Sequence, residues 1–253
     1  MSTLVLIHAF PLDSRMYDEV ASLVAETGWQ VLLPDLRGCG GASDFDGEPS
    51  LDVCVDDIVS SLDRVGVDKA VVGGTSLGGY VTMAMLRRAP ERVAGAIFID
   101  TKASADSEEG KANRARSAEQ VTRTGSTEAL WRAMLPNALG QTTTASRPAV
   151  VDQTAAIMRD SRPEGVANLL LAMAARPDSH AAIAAARIPM LSIRGDEDGI
   201  ASAADHEAIV SAGSDIRHVT IPGCGHLAPL EAPAETAAAI IDFLKVVQSP
   251  TCS

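Results

Sequence analysis

The sequence predicts an α/β fold: a doubly wound, parallel sheet covered by helices on both faces, interrupted by one helical insertion. Three observations predict it. Short apolar runs rich in β-formers alternate with helical patterns, most of those runs are apolar on both faces, and the alternation breaks once, over about residues 101–187. The strand candidates are residues 4–8, 31–34, 70–73, 95–99, 189–194 and 217–221. Apolarity on both faces is how parallel strands buried between helical layers read. The helical patterns lie at residues 14–27, 50–65, 77–89, 203–211 and 233–248. Gly28, Gly66 and Gly213 stand where three of them should stop, and Pro90 follows a fourth. Six strands are expected, all parallel.

Between residues 101 and 187 no strand pattern is found. Residues 119–135, 148–159 and 164–175 read as helices broken by Gly125, Pro136, Gly140, Pro163 and Pro177. The expected division is therefore a core of residues 1–100 and 188–253 with a lid of residues 101–187. An insertion between two strands of a parallel sheet should sit over the carboxyl edge, where open α/β sheets bind ligands.

Composition narrows the function. The 253 residues are 46% hydrophobic and carry a formal charge of −12, enough for one large core. An acidic surface repels phosphate backbones and anionic headgroups, which argues against nucleic-acid and membrane-surface roles. The first residues show neither a basic flank nor a cleavage pattern, and no apolar run has the length of a membrane span. Cys39, Cys54, Cys224 and Cys252 are scattered, without metal-ligand spacing, and read as reduced thiols of a cytoplasmic protein. No metal and no cofactor is expected, and the expected partner is a small molecule.

The chemistry concentrates where the run 70–73 meets Gly74-Thr75-Ser76-Leu77-Gly78-Gly79 and a helix follows. A G-x-S-x-G segment between strand and helix exposes a serine on a sharp turn, with glycines removing collisions on either side. The helix N-terminus also points partial positive charge at the space beside that hydroxyl. Ser76 is thus the candidate nucleophile, and it needs a base. Of five histidines, His226 lies in Pro222-Gly223-Cys224-Gly225-His226, between the last strand and the last helix. His180 and His206 fall in helical stretches expected to be exposed, and His218 lies within a strand. His8 ends the first strand and reads as a brace for the loop that follows. The base needs an orienting carboxylate; Asp196, Asp198 and Asp100 all end strands on the right side, and spacing does not separate Asp198 from Asp196. Oxyanion donors are expected at the backbone N–H groups of Leu77 and Phe10.

Taken together, Leu6-Ile7-His8-Ala9-Phe10-Pro11, Pro34-Asp35-Leu36-Arg37-Gly38, the Gly74–Gly79 turn, Gly195–Asp198 and Gly225-His226-Leu227-Ala228-Pro229-Leu230-Glu231 resemble the α/β-hydrolase superfamily. The nearest likeness is to small bacterial carboxylesterases, 3-oxoadipate enol-lactonases and cofactor-free haloperoxidase-type perhydrolases. The resemblance implies the α/β-hydrolase fold without the usual N-terminal hairpin, a Ser-Asp-His order, and Asp198, the last residue of a Gly-x-x-Asp segment, as the acid. Without that hairpin residues 31–34 are left at one edge of the sheet; an uncovered edge of that kind invites pairing with a second copy, so a homodimer is a possible assembly. Ala9 departs from the glycine usual in the oxyanion loop. Implied activities are hydrolysis of a small ester or lactone through an acyl-enzyme, with C–C hydrolysis or perhydrolysis on the same residues as alternatives. A non-catalytic ligand-binding protein is the alternative from another class. Trp131, Met134, Met158 and Met173 are candidate pocket residues; together with Leu135, Leu169 and Leu170 they could equally be core of the insertion. Arg132, Arg159 and Arg176 read as solvated surface residues that could also bind a substrate carboxylate.

Overall fold

In the computed structural model, which describes residues 2–248, six parallel strands form one sheet. The first half of the chain runs β1 (Thr3–Ile7), α1 (Asp18–Ala25), β2 (Gln30–Leu32), α2 (Leu51–Arg64), β3 (Ala70–Thr75), α3 (Leu77–Arg88) and β4 (Val93–Ile99). Six helices follow: α4 (Glu108–Thr124), α5 (Glu128–Ala138), α6 (Gln141–Ser146), α7 (Pro148–Arg159), α8 (Pro163–Ala175) and α9 (His180–Ala185). The sheet then resumes with β5 (Met190–Gly195), α10 (Ala203–Ala212), β6 (Ile216–Ile221), α11 (Ala228–Glu231) and α12 (Pro233–Gln248).

The strand order is β2-β1-β3-β4-β5-β6, every neighbouring pair parallel. Strands β1 and β3 are buried along their whole length, as their apolar pattern requires. The chain leaves β1 toward β2 on one side and returns to β3 on the other. That reversal opens a crevice at the carboxyl ends of β1 and β3, where open α/β sheets bind ligands.

Local signals explain most boundaries. The Ser50 hydroxyl caps α2 by accepting from the Asp52 N–H, Ser107 caps α4, and Ser202 with Asp205 forms a capping box on α10. Pro148 and Pro163 begin α7 and α8, where a missing N–H costs nothing. Three expected elements are redrawn. The helix expected over 119–135 is two helices, because Gly125 takes a left-handed backbone (φ 61°) and ends α4. Pro136 lies inside α5 rather than ending it. The edge strand expected at 31–34 is the three-residue β2, and the helix expected at 14–27 opens with a 3₁₀ turn at Ser14–Tyr17. Cys39, Cys54 and Cys224 are buried free thiols, and Cys252 lies outside the described residues.

The helical insertion is fastened to the sheet at the loop after β2. Gly38 and Gly165 at the start of α8 meet backbone to backbone: a Cβ on Gly165 would stand 2.1 Å from the Gly38 carbonyl oxygen. Beside them Arg162 donates to the Gly40 and Ala42 carbonyls and to Asp44. A Gly165→Val variant should therefore lose about 1–3 kcal/mol of stability through overpacking, read as a lowered midpoint in urea unfolding; an unchanged midpoint would show that this contact is dispensable.

Candidate active site

Ser76 stands at the junction of β3 and α3 with φ 53° and ψ −108°, a left-handed-side backbone that a non-glycine residue adopts at a cost of about 1–3 kcal/mol. Its surroundings impose that conformation. A Cβ on Gly74 would lie 2.3 Å from the Gly78 carbonyl carbon, and one on Gly78 would lie 2.0 Å from the Ile7 carbonyl oxygen. Two hydrogen bonds anchor the turn to the neighbouring strand: Ser76 N–H to the Ile99 carbonyl (2.9 Å) and Thr101 hydroxyl to the Ser76 carbonyl (2.8 Å). Below it, the buried Tyr17 hydroxyl bridges the Ile7 carbonyl (3.2 Å) and Thr75 Oγ1 (2.7 Å), tying the ends of β1 and β3 together.

The loop after β1 forms the opposite wall. Leu36 N–H donates to His8 Nε2 (3.0 Å), which leaves the proton on Nδ1, where it reaches the Ala9 carbonyl (3.0 Å). Burial lowers the pKa of this fully buried ring, so it stays neutral. His8 thus braces the loop. Ala9 is buried without a left-handed backbone and gives its N–H to Met16 Sδ. Its methyl is accommodated where the superfamily usually has glycine. Leu77 opens α3, so its N–H has no intrahelical acceptor. The Phe10 N–H donates to no protein acceptor among the described residues.

His226 enters from the loop after β6. Its Nδ1 lies 2.9 Å from Asp198 Oδ2 and 3.1 Å from Oδ1. Asp198 Oδ1 also accepts the N–H groups of Ile200 (2.7 Å) and Ala201 (3.1 Å). Of the three carboxylates left open by the sequence, Asp198 holds the imidazole. Asp196 instead accepts the Gly223 N–H (2.7 Å). Asp100, on a left-handed backbone (φ 44°), accepts the N–H groups of Gly195 (2.8 Å) and Ala228 (3.2 Å). Burial raises the Asp198 carboxyl, but the His226 hydrogen bond and charge outweigh it and bring it below the ordinary value. Burial lowers His226, and Asp198 outweighs that loss and raises it. Asp100 is pushed up to about 7, first by burial and then by the Asp198 charge.

Ser76 and His226 line one cavity of about 110 Å³ together with Phe10, Tyr80, Asp100 and Leu227. No hydrogen bond joins Ser76 to the imidazole among the described residues. Met134 of α5 and Met173 of α8 close the cavity from above. Trp131 and Met158 do not line it. They belong to the hydrophobic cluster with Leu12 and Met16, because α5 and α7 turn these side chains toward each other. Arg132 and Arg159 flank the Trp131 ring at 4.9 and 5.7 Å, away from the cavity. Arg176, expected at the surface, is buried: it stacks 3.9 Å above Tyr80 and pairs with Asp106. His206, also expected to be exposed, is buried with its ring between Ser192 (3.1 Å) and His218 (2.6 Å), because α10 packs on β5.

Three contributors carried no signal strong enough to assign from sequence. Lys102 and Arg114 reach the cavity from the start of the insertion. Glu231, five residues after the histidine, is buried and accepts three backbone N–H groups, from Gly225 (3.0 Å), Leu227 (3.2 Å) and Gly140 (2.8 Å). It holds the histidine loop from both sides and ties it to the insertion. Replacing it by glutamine would turn an NH₂ group toward a buried N–H. Glu231→Gln should cost about 1–3 kcal/mol in denaturant unfolding, and a cost within error of zero would remove the brace from this description.

The chain is similar to known proteins over most of its length. The α/β hydrolase fold family matches residues 2–233. The malate-bound structure of a thermophilic esterase from Thermogutta terrifontis superposes with a TM-score of 0.95 at 34% identity, over 98% of this chain and 91% of that one. A pimeloyl-[acyl-carrier protein] methyl ester esterase from Aromatoleum aromaticum is 27% identical over 96% of this chain and 98% of its own length. A proline iminopeptidase from Clostridioides difficile is 35% identical, but over 30% of this chain and 27% of its own length; the chain spans about a quarter to a third of the length of this and other curated relatives that it matches, non-heme haloperoxidases among them. No helix among the described residues is long and apolar enough to cross a membrane. A strand-to-helix serine turn at the switch point of a six-stranded parallel sheet, matched over nearly the whole chain, places this protein in the α/β hydrolase fold family.

Proposed function

We propose that this protein is a serine hydrolase that cleaves a small carboxylic ester or lactone through an acyl-enzyme. The observation that carries the reading is that Ser76 and His226 face one small cavity while Asp198 grips the far nitrogen of the imidazole. With Nδ1–H bound to Asp198, Nε2 is the lone-pair nitrogen and takes the Ser76 proton as Oγ attacks the carbonyl. The buried Asp198 stabilises the imidazolium that results. The N–H groups of Leu77 and Phe10 receive the oxyanion; they need no reorganisation, since one heads a helix and the other sits on a braced loop. The imidazolium then protonates the leaving oxygen, and water repeats the sequence on the acyl-enzyme.

Substrate size follows from volume. About 110 Å³ is well below the roughly 300–1,000 Å³ of drug-sized pockets, which favours short acyl groups. Residues 101–187 act in this reading as the lid, with Met134 and Met173 as its apolar contribution. C–C cleavage and perhydrolysis would use the same residues; the likeness to the Thermogutta terrifontis esterase over nearly the whole chain supports the ester reading. The buried, unpaired thiols suit a cytoplasmic enzyme.

Ser76→Ala should reduce kcat for p-nitrophenyl acetate by about 10⁴- to 10⁶-fold, and near wild-type turnover in a folded variant would end the proposal. The pH profile carries its own sign. The working base is neutral His226, and its pKa in the folded protein is raised. kcat/KM should therefore fall as pH drops through a midpoint above the ordinary histidine value of about 6.5. Asp198→Asn should lower kcat by about 10⁴-fold and move that midpoint down, because the negative charge that stabilises the imidazolium is gone while burial remains; an unmoved midpoint would detach Asp198 from the base.

A further inference from the structure

Lys102 and Arg114 give the cavity a positive wall that the acyl-transfer mechanism does not use. Both line the same space as Ser76 and His226. Around them three cations share one carboxylate. Asp106, itself buried, takes Arg114 Nε at 2.5 Å, Arg176 at 2.9 Å and Lys102 Nζ at 3.8 Å. Arg176 is consumed by this arrangement: it also donates to the Met173 and Ser104 carbonyls and lies on Tyr80. Arg114 spends its Nε on Asp106 and touches Met173 Sδ at 3.4 Å with Nη1, and Lys102 is too far from Asp106 for a full hydrogen bond. Two positive charges are thus left in surplus at the rim of a cavity whose other walls are mostly apolar.

The opposing carboxylates do not cancel that surplus. Asp198 has no side-chain exposure and lies behind His226. Asp100 lines the floor, but both its oxygens are occupied by backbone N–H groups, and burial together with the Asp198 charge holds its carboxyl up to about 7. In a chain of net charge −12, which repels anions at long range, a locally cationic cavity is the unusual feature. Cations held half-exposed over an apolar pocket recognise a carboxylate through charge-assisted hydrogen bonds.

Resting on the serine-hydrolase reading above, we propose that Lys102 and Arg114 form a carboxylate subsite, and that the substrate is a short ester or lactone carrying a free carboxylate a few bonds from the reacting carbonyl. The carboxylate can lie on the acyl side, as in a half-ester of a short dicarboxylic acid, or on the leaving side, as in an acyl ester of a hydroxy acid.

Two substrate pairs separate these sources and test the subsite. Monomethyl succinate is compared with methyl 4-methylpentanoate, and O-acetyl-lactate with 3-methylbutan-2-yl acetate, each neutral partner replacing the carboxylate by an isopropyl group. The wild-type enzyme should prefer the anionic member of at least one pair by about tenfold or more in kcat/KM. Lys102→Met, a partly exposed position, and Arg114→Met should each lower that preference by about tenfold, and Arg114→Lys should restore part of it. Succinate should inhibit hydrolysis of the neutral ester, with an inhibition constant raised about tenfold in Lys102→Met. A neutral preference in both pairs, or a preference and a succinate constant unchanged in Lys102→Met, would overturn the subsite while Ser76-dependent hydrolysis still stood. Loss of all Ser76-dependent hydrolysis in the wild-type protein would instead strike the reading beneath it.

Discussion

The backbone at Ser76 is the constraint on which the rest depends. A non-glycine residue on that side of φ/ψ space is strained, and the strain persists because the surroundings over-determine it. Gly78 lies against the Ile7 carbonyl, Gly74 against Gly78, and Thr101 and Ile99 hold the serine's own peptide groups. Relaxing the turn would require β1, β3 and α3 to part. In exchange the hydroxyl stands clear of the sheet at the head of a helix, beside N–H groups that have no intrahelical acceptor.

Around that fixed hydroxyl the imidazole is placed by buried carboxylates. Asp198 binds it directly, Asp100 organises the ends of β5 and the histidine loop through Gly195 and Ala228, and Glu231 pins the loop at Gly225 and Leu227. Each is buried, and each is satisfied by backbone N–H groups, which is the condition for burying a carboxylate at tolerable cost. The loop is also tied to the helical insertion, since Glu231 takes the Gly140 N–H and Arg147 donates to the Glu231 and Gly223 carbonyls. The insertion therefore roofs the cavity and stiffens the histidine loop at once.

Much of this was legible in the sequence because it is governed by local rules. Apolarity on both faces marks buried parallel strands. Glycines flanking a serine between strand and helix mark the sharp turn, and serine caps mark helix starts. The six-stranded sheet and the α/β hydrolase fold follow from those signals. What was not legible depends on tertiary placement. Nothing local tells Trp131, which faces α7, from Met134, one turn further on, which faces the cavity. Arg176 and His206 sit in segments that look solvent-facing, and only packing against Tyr80 and β5 buries them. Spacing left Asp196 and Asp198 equivalent; the two differ by which side of one turn faces the imidazole.

The proposed function requires Ser76 to be an activated nucleophile. Its most direct measurement is the site and pH dependence of labelling by a fluorophosphonate, read by intact mass and peptide mapping. One adduct is expected, on Ser76, formed at a rate that falls with decreasing pH as His226 is protonated. No adduct on folded protein, or an adduct at another residue, would contradict it.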